Sequence, residues 1–227
     1  MPGQLIDVGG RILHLHCTGS GSPTVLLQPG MGEMSSNLAW IAPAVSRHTR
    51  VCVYDRAGRG WSQPADRPQD AGQIASDLHS LLGRADVKGP YVLAGHSFGG
   101  LYSLTFAARY PDEVAGMVLL DSTAPASTTA PDGSDSGAAV MASGRRAAEL
   151  DDFGDKPLVV LTAGATDITG WGASQAHLAD LSTDSAHRIV ADASHESLVG
   201  DQTNAVFSVT AIRDVVAAVR SGRALRR

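Results

Sequence analysis

Short, unbroken apolar runs alternate with helical stripes through most of this 227-residue chain, and that alternation narrows its possible folds more than any other feature. Val25-Leu26-Leu27 stops at Pro29-Gly30, and residues 50–54 form a second run that stops at Asp55. Further runs follow at residues 91–94, 117–120, 157–162 and 187–190. Runs of this length without polar interruption fit strands covered on both faces, as in a parallel sheet. Between them, Ile74, Leu78, Leu81 and Leu82 keep the i, i+4, i+7, i+8 spacing of a helix, and Val209, Ile212, Val216 and Val219 form another stripe. The alternation predicts an α/β fold: a doubly wound, mostly parallel sheet of about eight strands, with helices on both faces. The opening segment departs from the rhythm. Leu5-Ile6-Asp7-Val8, then Gly9-Gly10, then residues 11–17 read as an antiparallel hairpin at one edge, because the glycine pair supplies the positive φ of a tight turn.

Aromatic residues are only 5% of the chain against 43% hydrophobic, so the core must be built from Val, Leu, Ile and Ala. The length suits one domain over residues 1–227. A net charge of −5 argues against nucleic acid as a partner, since a phosphate backbone needs a basic surface. The run Arg220, Arg223, Arg226 and Arg227 reads as a solvated helix end. No apolar run approaches the ~18 residues of a membrane span. The first residues lack the basic-then-apolar pattern of a signal peptide, so the expected location is cytoplasmic, with no membrane partner. Cys17 and Cys52 each sit in a predicted strand, where a buried, inert thiol is the default; a disulfide between them is the open alternative. Residues 122–137 carry Ser, Thr, Ala, Pro, Asp and Gly with no hydrophobic period, which predicts loop or partial disorder. A helix-like segment at residues 138–150 follows.

The chemistry concentrates at Gly95-His96-Ser97-Phe98-Gly99-Gly100. This Gly-x-Ser-x-Gly follows an apolar strand and precedes a helical segment, the context that makes the motif a nucleophile turn. Other segments agree with it. Gln28-Pro29-Gly30-Met31-Gly32 follows the third strand, Asp55-Arg56-Ala57-Gly58-Arg59-Gly60-Trp61-Ser62 follows the next, and Tyr110-Pro111-Asp112-Glu113-Val114 ends the helix after the serine. In these segments the chain resembles the α/β-hydrolase superfamily along nearly its whole length, as a serine hydrolase or esterase-like member. The resemblance implies backbone oxyanion donors at Met31 and Phe98, a bracing role for Asp55 and Arg56 toward the neighbouring loop, and a reduced cap insertion at about residues 122–155.

The same resemblance orders the catalytic residues as Ser, then an acid, then His. His195, in a loop past the last strand, matches the family's histidine; His177 and His187 read as surface or structural residues. The acid has two candidates. Asp167, three residues past Gly164, resembles the family's common Gly-x-x-Asp placement and is favoured, although the proline that often follows that Asp is missing. Asp121, ending the preceding strand, is the alternative. His14 and His16 share a strand face without further ligands, so no metal is implied, and no cofactor either. The expected function is cleavage of small carboxylic esters through an acyl-enzyme on Ser97. Perhydrolase, lactone, amide or carbon–carbon bond chemistry on the same machinery is an alternative, as is a non-catalytic ligand-binding relative.

Overall fold

Five of the apolar runs form the middle of one sheet. The computed structural model describes residues 1–66, 68–127 and 135–225. In it, strands β1 (Gln4–Asp7) and β2 (Ile12–Thr18) form the opening hairpin, and β3 (Thr24–Gln28), β4 (Val51–Asp55), β5 (Tyr91–His96), β6 (Val114–Leu120), β7 (Leu158–Ala163) and β8 (Ser185–Val190) follow. The eight strands lie in the order β1-β2-β4-β3-β5-β6-β7-β8. The β1–β2 and β2–β4 pairs are antiparallel, and all later pairs are parallel. This is the doubly wound, mostly parallel architecture with an antiparallel hairpin at its edge. β3, β4, β5 and β7 are buried at every position, which explains their unbroken apolar character. β8 closes the other edge and alternates instead, with Ala186 and Val190 buried and Ile189 exposed.

The helices are α1 (Ala42–Ser46), α2 (Ala71–Arg84), α3 (Phe98–Arg109), α4 (Asp135–Ala147), α5 (Trp171–Ala179), α6 (Ser197–Gly200) and α7 (Gln202–Ser221). Alternate residues of each strand serve opposite faces of the sheet. Val25, Leu27, Val92, Val118 and Val159 pack with Val45 of α1 and with Val209, Ile212, Val215 and Val216 of α7. Leu26, Leu93, Leu119 and Val160 pack on the other face with Leu78, Leu81 and Leu82 of α2, Leu101 and Leu104 of α3, and Leu178 of α5. Asp70 caps α2 by accepting from the Gln73 N–H, and Asp201 caps α7 from the Thr203 and Asn204 N–H groups. α3 is buried nearly all round, from Gly99 to Ala107, so it runs through the interior rather than over it.

Two local expectations change. Cys17 and Cys52 are not separate thiols: they face each other across the antiparallel β2–β4 pair, with Cα atoms 4.0 Å apart, and form a disulfide. The strand register brings them together, and a pattern read along one strand carries no such information. In the cap, the predicted loop at residues 122–137 includes residues 128–134, which lie outside the described residues. α4 begins at Asp135, three positions before the predicted helix, and packs on α2 and α3. Arg220 is tied down by hydrogen bonds to the carbonyls of Ser22 and His48, at 2.6 and 3.1 Å. Arg226 and Arg227 of the same basic run lie outside the described residues. Among the described residues, no helix is long and apolar enough to cross a membrane.

Candidate active site

Ser97 is the single residue between β5 and α3, and it takes φ +54° and ψ −124°. A non-glycine residue held there costs about 1–3 kcal/mol, which the surrounding packing must offset. The close approach of strand and helix explains the motif's glycines. A Cβ on Gly95 would fall 2.3 Å from the Gly99 carbonyl oxygen, and one on Gly99 would fall 2.0 Å from the Gln28 carbonyl oxygen. Either would collide with backbone, so only glycine fits. The turn leaves the Ser97 side chain half-buried at the carboxyl end of the central strand.

The loop after β3 lies directly against this serine: a Cβ on Gly30 would sit 3.1 Å from Ser97 Cβ. Its peptide planes are held from behind. The buried Arg56 donates Nη1 to the Pro29 carbonyl at 2.7 Å and Nη2 to the carbonyls of Gly30 and Glu33. The Glu33 N–H also donates to the Gly30 carbonyl, at 3.1 Å. In a trans peptide the N–H points opposite the C=O, so fixing the Gly30 carbonyl turns the Met31 N–H to the other side. The Ser97 carbonyl is fixed in the same way, by the N–H groups of Gly100 at 3.0 Å and Thr123 at 3.2 Å. That turns out the Phe98 N–H, which opens α3 and has no carbonyl of its own helix to bond. Asp55 supports the arrangement by accepting from the Ser35 N–H at 2.6 Å and the Trp61 N–H at 3.2 Å. His14 Nδ1 lies 2.9 Å from the same carboxylate without the alignment of a hydrogen bond, while its Nε2 donates to the Pro2 carbonyl.

His195 Nδ1 donates to Asp121 Oδ2 at 2.7 Å. Asp121 is fully buried and directly follows β6, at φ +42°. The Ala163 N–H and Trp171 Nε1 also donate to it, at 3.0 and 2.8 Å, and the Thr166 hydroxyl at 3.1 Å. Burial pushes its carboxyl up, but the hydrogen bonds from His195, Trp171 and Ala163 outweigh burial and hold it below the usual carboxylate range. The hydrogen bond from Asp121 raises His195 above the ordinary histidine value, against the opposite pull of burial. The sequence favoured Asp167 for this position, and the structure places Asp121 there instead. Asp167 lies on an exposed loop beyond β7, and among the described residues Asp121 is the only carboxylate hydrogen-bonded to His195. His177 lies in α5 and His187 in β8, where its Nε2 meets the Thr162 hydroxyl at 2.8 Å. No hydrogen bond joins the Ser97 hydroxyl to His195 among the described residues.

A sequence model of the family described as alpha/beta hydrolase fold matches residues 23–136, half of the chain. The chain belongs to the α/β-hydrolase fold family. Within this family it is 35% identical over 130 residues to a 2-hydroxy-6-oxo-2,4-heptadienoate hydrolase of Pseudomonas putida, covering 52% of this chain and 44% of that one. It is 37% identical over 150 residues to an uncharacterised protein of Schizosaccharomyces pombe, covering 53% of this chain and 28% of the other. The matched segments thus span less than half the length of these curated relatives. Among solved structures, the hydrolase fold superposes on a thermophilic esterase from Thermogutta terrifontis with a TM-score of 0.77 at 20% identity, covering 96% of this chain and 99% of that one. An enol-lactonase from Burkholderia xenovorans gives 0.76 at 20% identity, covering 94% and 100%.

Three residues of this hydrolase-fold site carry no signal in the sequence reading. Trp171 holds Asp121 and meets the His195 ring edge-on at 6.2 Å. Glu33 and His96 bond to each other beside Ser97, with Oε1 and Nδ1 2.9 Å apart. His96 occupies the free position of the Gly-x-Ser-x-Gly motif, and Glu33 sits three residues beyond Gly30, so proximity to the motifs was their only mark. A cavity of about 550 Å³ opens beside Met31 and Phe98, bounded by Arg59, Ile74 and Tyr102 and by Val140 of α4. A larger cleft of about 880 Å³, bounded by Arg11, Arg109 and Arg146, touches none of Ser97, His195, Met31 or Phe98.

Proposed function

We propose that the chain is a serine hydrolase that cleaves small carboxylic esters through an acyl-enzyme. The observation that carries this reading is the Asp121–His195 hydrogen bond on the same rim of the sheet as the strained Ser97 turn. Ser97 Oγ attacks the ester carbonyl while His195 Nε2 takes the hydroxyl proton. Asp121 fixes the tautomer that leaves Nε2 free to accept, and stabilises the imidazolium that forms. The carbonyl oxygen becomes an oxyanion facing the N–H groups of Met31 and Phe98. His195 then gives the proton to the departing alcohol. Water activated by the same ring attacks the acyl-Ser97 ester, releasing the acid and restoring the serine. The Ser97–His195 hydrogen bond forms in this scheme as substrate settles. No cofactor enters any step.

The cavity beside Met31 and Phe98 supports a short or compact acyl group, since Val140 of α4 together with Pro64 and Ala65 bounds it to about 550 Å³. A second reading, hydrolysis of a lactone or a carbon–carbon bond, draws support from the names of the Burkholderia xenovorans enol-lactonase and the Pseudomonas putida hydrolase. Fluorophosphonate labelling of wild type beside Ser97→Ala, followed by turnover of p-nitrophenyl acetate and butyrate, tests the reading. Ser97-dependent labelling with ester turnover supports it. Labelling without ester turnover moves lactone or carbon–carbon substrates forward, and no labelling of folded protein defeats it.

A further inference from the structure

Next to Ser97 lies a second carboxylate–histidine pair that the reaction above does not use. His96 is the last residue of β5, and its side chain is 1% exposed. Its Nδ1 meets Glu33 Oε1 at 2.9 Å, and its Nε2 donates to the carbonyl of His195 at 2.9 Å. The His96 and His195 rings lie 4.6 Å apart between centroids. The other Glu33 oxygen accepts from the Gly30 N–H, and the Glu33 carbonyl accepts from Arg56. A continuous chain of contacts therefore runs from the loop that carries Met31, through Glu33 and His96, to the backbone of His195.

A carbonyl only accepts, so His96 Nε2 must carry a proton, and a second proton shared between ring and carboxylate makes the contact to Glu33. A largely buried carboxylate–imidazole pair is a weak source of stability, because desolvation offsets much of the attraction. What such a pair supplies is direction. It connects the two loops, one on each side of Ser97, whose separation sets the distance from base to oxyanion donors. Resting on the serine-hydrolase reading above, we propose that Glu33 and His96 are positioning residues that hold the His195 loop and the Met31 loop in register across Ser97.

The Glu33 carboxylate of the pair also acts on His195, favouring its protonated form. Asp121, Glu196 and Glu33 each favour the protonated form of His195, with Asp121 foremost, and the His96 ring faces it at 4.6 Å. His96 and Arg56 face Glu33 in turn. Glu33→Gln keeps the shape of the side chain and removes its charge. It should lower kcat by about ten- to a hundredfold, the scale of a small misplacement of reacting groups, with KM little changed. The acid limb of the kcat/KM profile should move to lower pH, because His195 loses a charge that favours its protonated form. His96→Gln, whose amide reaches the Nε2 position, should retain more kcat than His96→Ala. A purely packing role would instead lower the melting temperature and leave the pH limb in place.

The deciding experiment compares wild type, Glu33→Gln, His96→Gln and His96→Ala by steady-state kinetics against pH on p-nitrophenyl acetate. The His195 ring N–H resonance is followed in parallel by NMR, with each substitution placed in a Ser97→Ala background. A kcat loss, a downward limb shift and a moved resonance support the pair. Folded variants with wild-type kcat, limb and resonance overturn it. If wild type turns over no ester, the hydrolase reading fails on its own, and the resonance still decides: a moved His195 signal keeps the bracing, and an unmoved one removes it. Should Glu33→Gln fail to fold, the same comparison between His96→Gln and His96→Ala carries the decision.

Discussion

Asp121 takes four hydrogen bonds on one carboxylate, and this concentration separates it from every other acidic residue near the serine. A carboxylate so held orients an imidazole well, whereas Asp167, exposed on its loop, has no such setting. Under the proposed mechanism, Asp121→Asn should lower kcat on p-nitrophenyl acetate by about 10⁴, since an amide favours the wrong histidine tautomer. Asp167→Asn should leave kcat within about twofold of wild type, as surface changes away from special features do. Equal losses in both variants would refute the assignment. The pH dependence follows from His195. The base works only when neutral, and its hydrogen bond to Asp121 raises its pKa above the ordinary 6.5. Activity should therefore fall as pH drops through a value above 6.5, and a kcat/KM profile that stays flat to pH 5 would count against His195 as the base.

Among the elements, the joint between β5 and α3 has the least slack. Gly95 and Gly99 each hold backbone too close for a side chain. Gly99→Ala should therefore cost on the order of 3 kcal/mol or more and abolish probe labelling, because relief of the clash must move the serine turn. Thermal melting read beside labelling checks both halves of that statement. The β2–β4 pair offers a contrasting case. Its disulfide closes a loop over a sequence separation of 35 and ties the edge hairpin to the centre of the sheet. Removing it through a Cys17→Ser, Cys52→Ser double variant should lower unfolding free energy by about 2–4 kcal/mol. Cys52 precedes Asp55 and Arg56, which brace the Met31 loop, but β4 stays paired on both sides without the disulfide, and Ser97, Asp121 and His195 stand on other elements, so activity in native conditions should persist. Denaturant unfolding and ester turnover of the same sample separate the two effects.

At the level of the whole molecule, a sheet covered on both faces presents its strand ends as a rim, and the rim is where this chain gathers its chemistry. Parallel strands bring the loops after β3, β5, β6 and β7 to the same end, and the loop after β8 joins them. α4 is the one described helix of the cap that overhangs the cavity beside Met31 and Phe98. Filling that cavity from the cap side should tune substrate size without touching the reacting groups. Val140→Trp should reduce kcat/KM for p-nitrophenyl butyrate by roughly tenfold relative to acetate, the scale of a methylene or two in an apolar pocket. An unchanged ratio would place the acyl group elsewhere.

The central strands, the capped helices and the serine turn were legible along the chain because each is specified locally. Burial on both faces demands an unbroken apolar run, and a collision of one backbone with the next demands glycine. Ser97 and His195 could be singled out for the same reason: each stands in a motif a few residues long. The Asp121–His195 hydrogen bond, the disulfide and the Glu33–His96 pair are contacts across 74, 35 and 63 residues. Asp121 and Asp167 both follow a strand that ends at this rim, and the Gly-x-x-Asp neighbours of Asp167 favoured it along the chain. The choice rests on the φ of +42° that turns Asp121 inward, and on a tryptophan from α5 that reaches across to hold it. Such preferences arise when strands take their places in a sheet, and hydrophobic periodicity describes a strand's faces but not its neighbours.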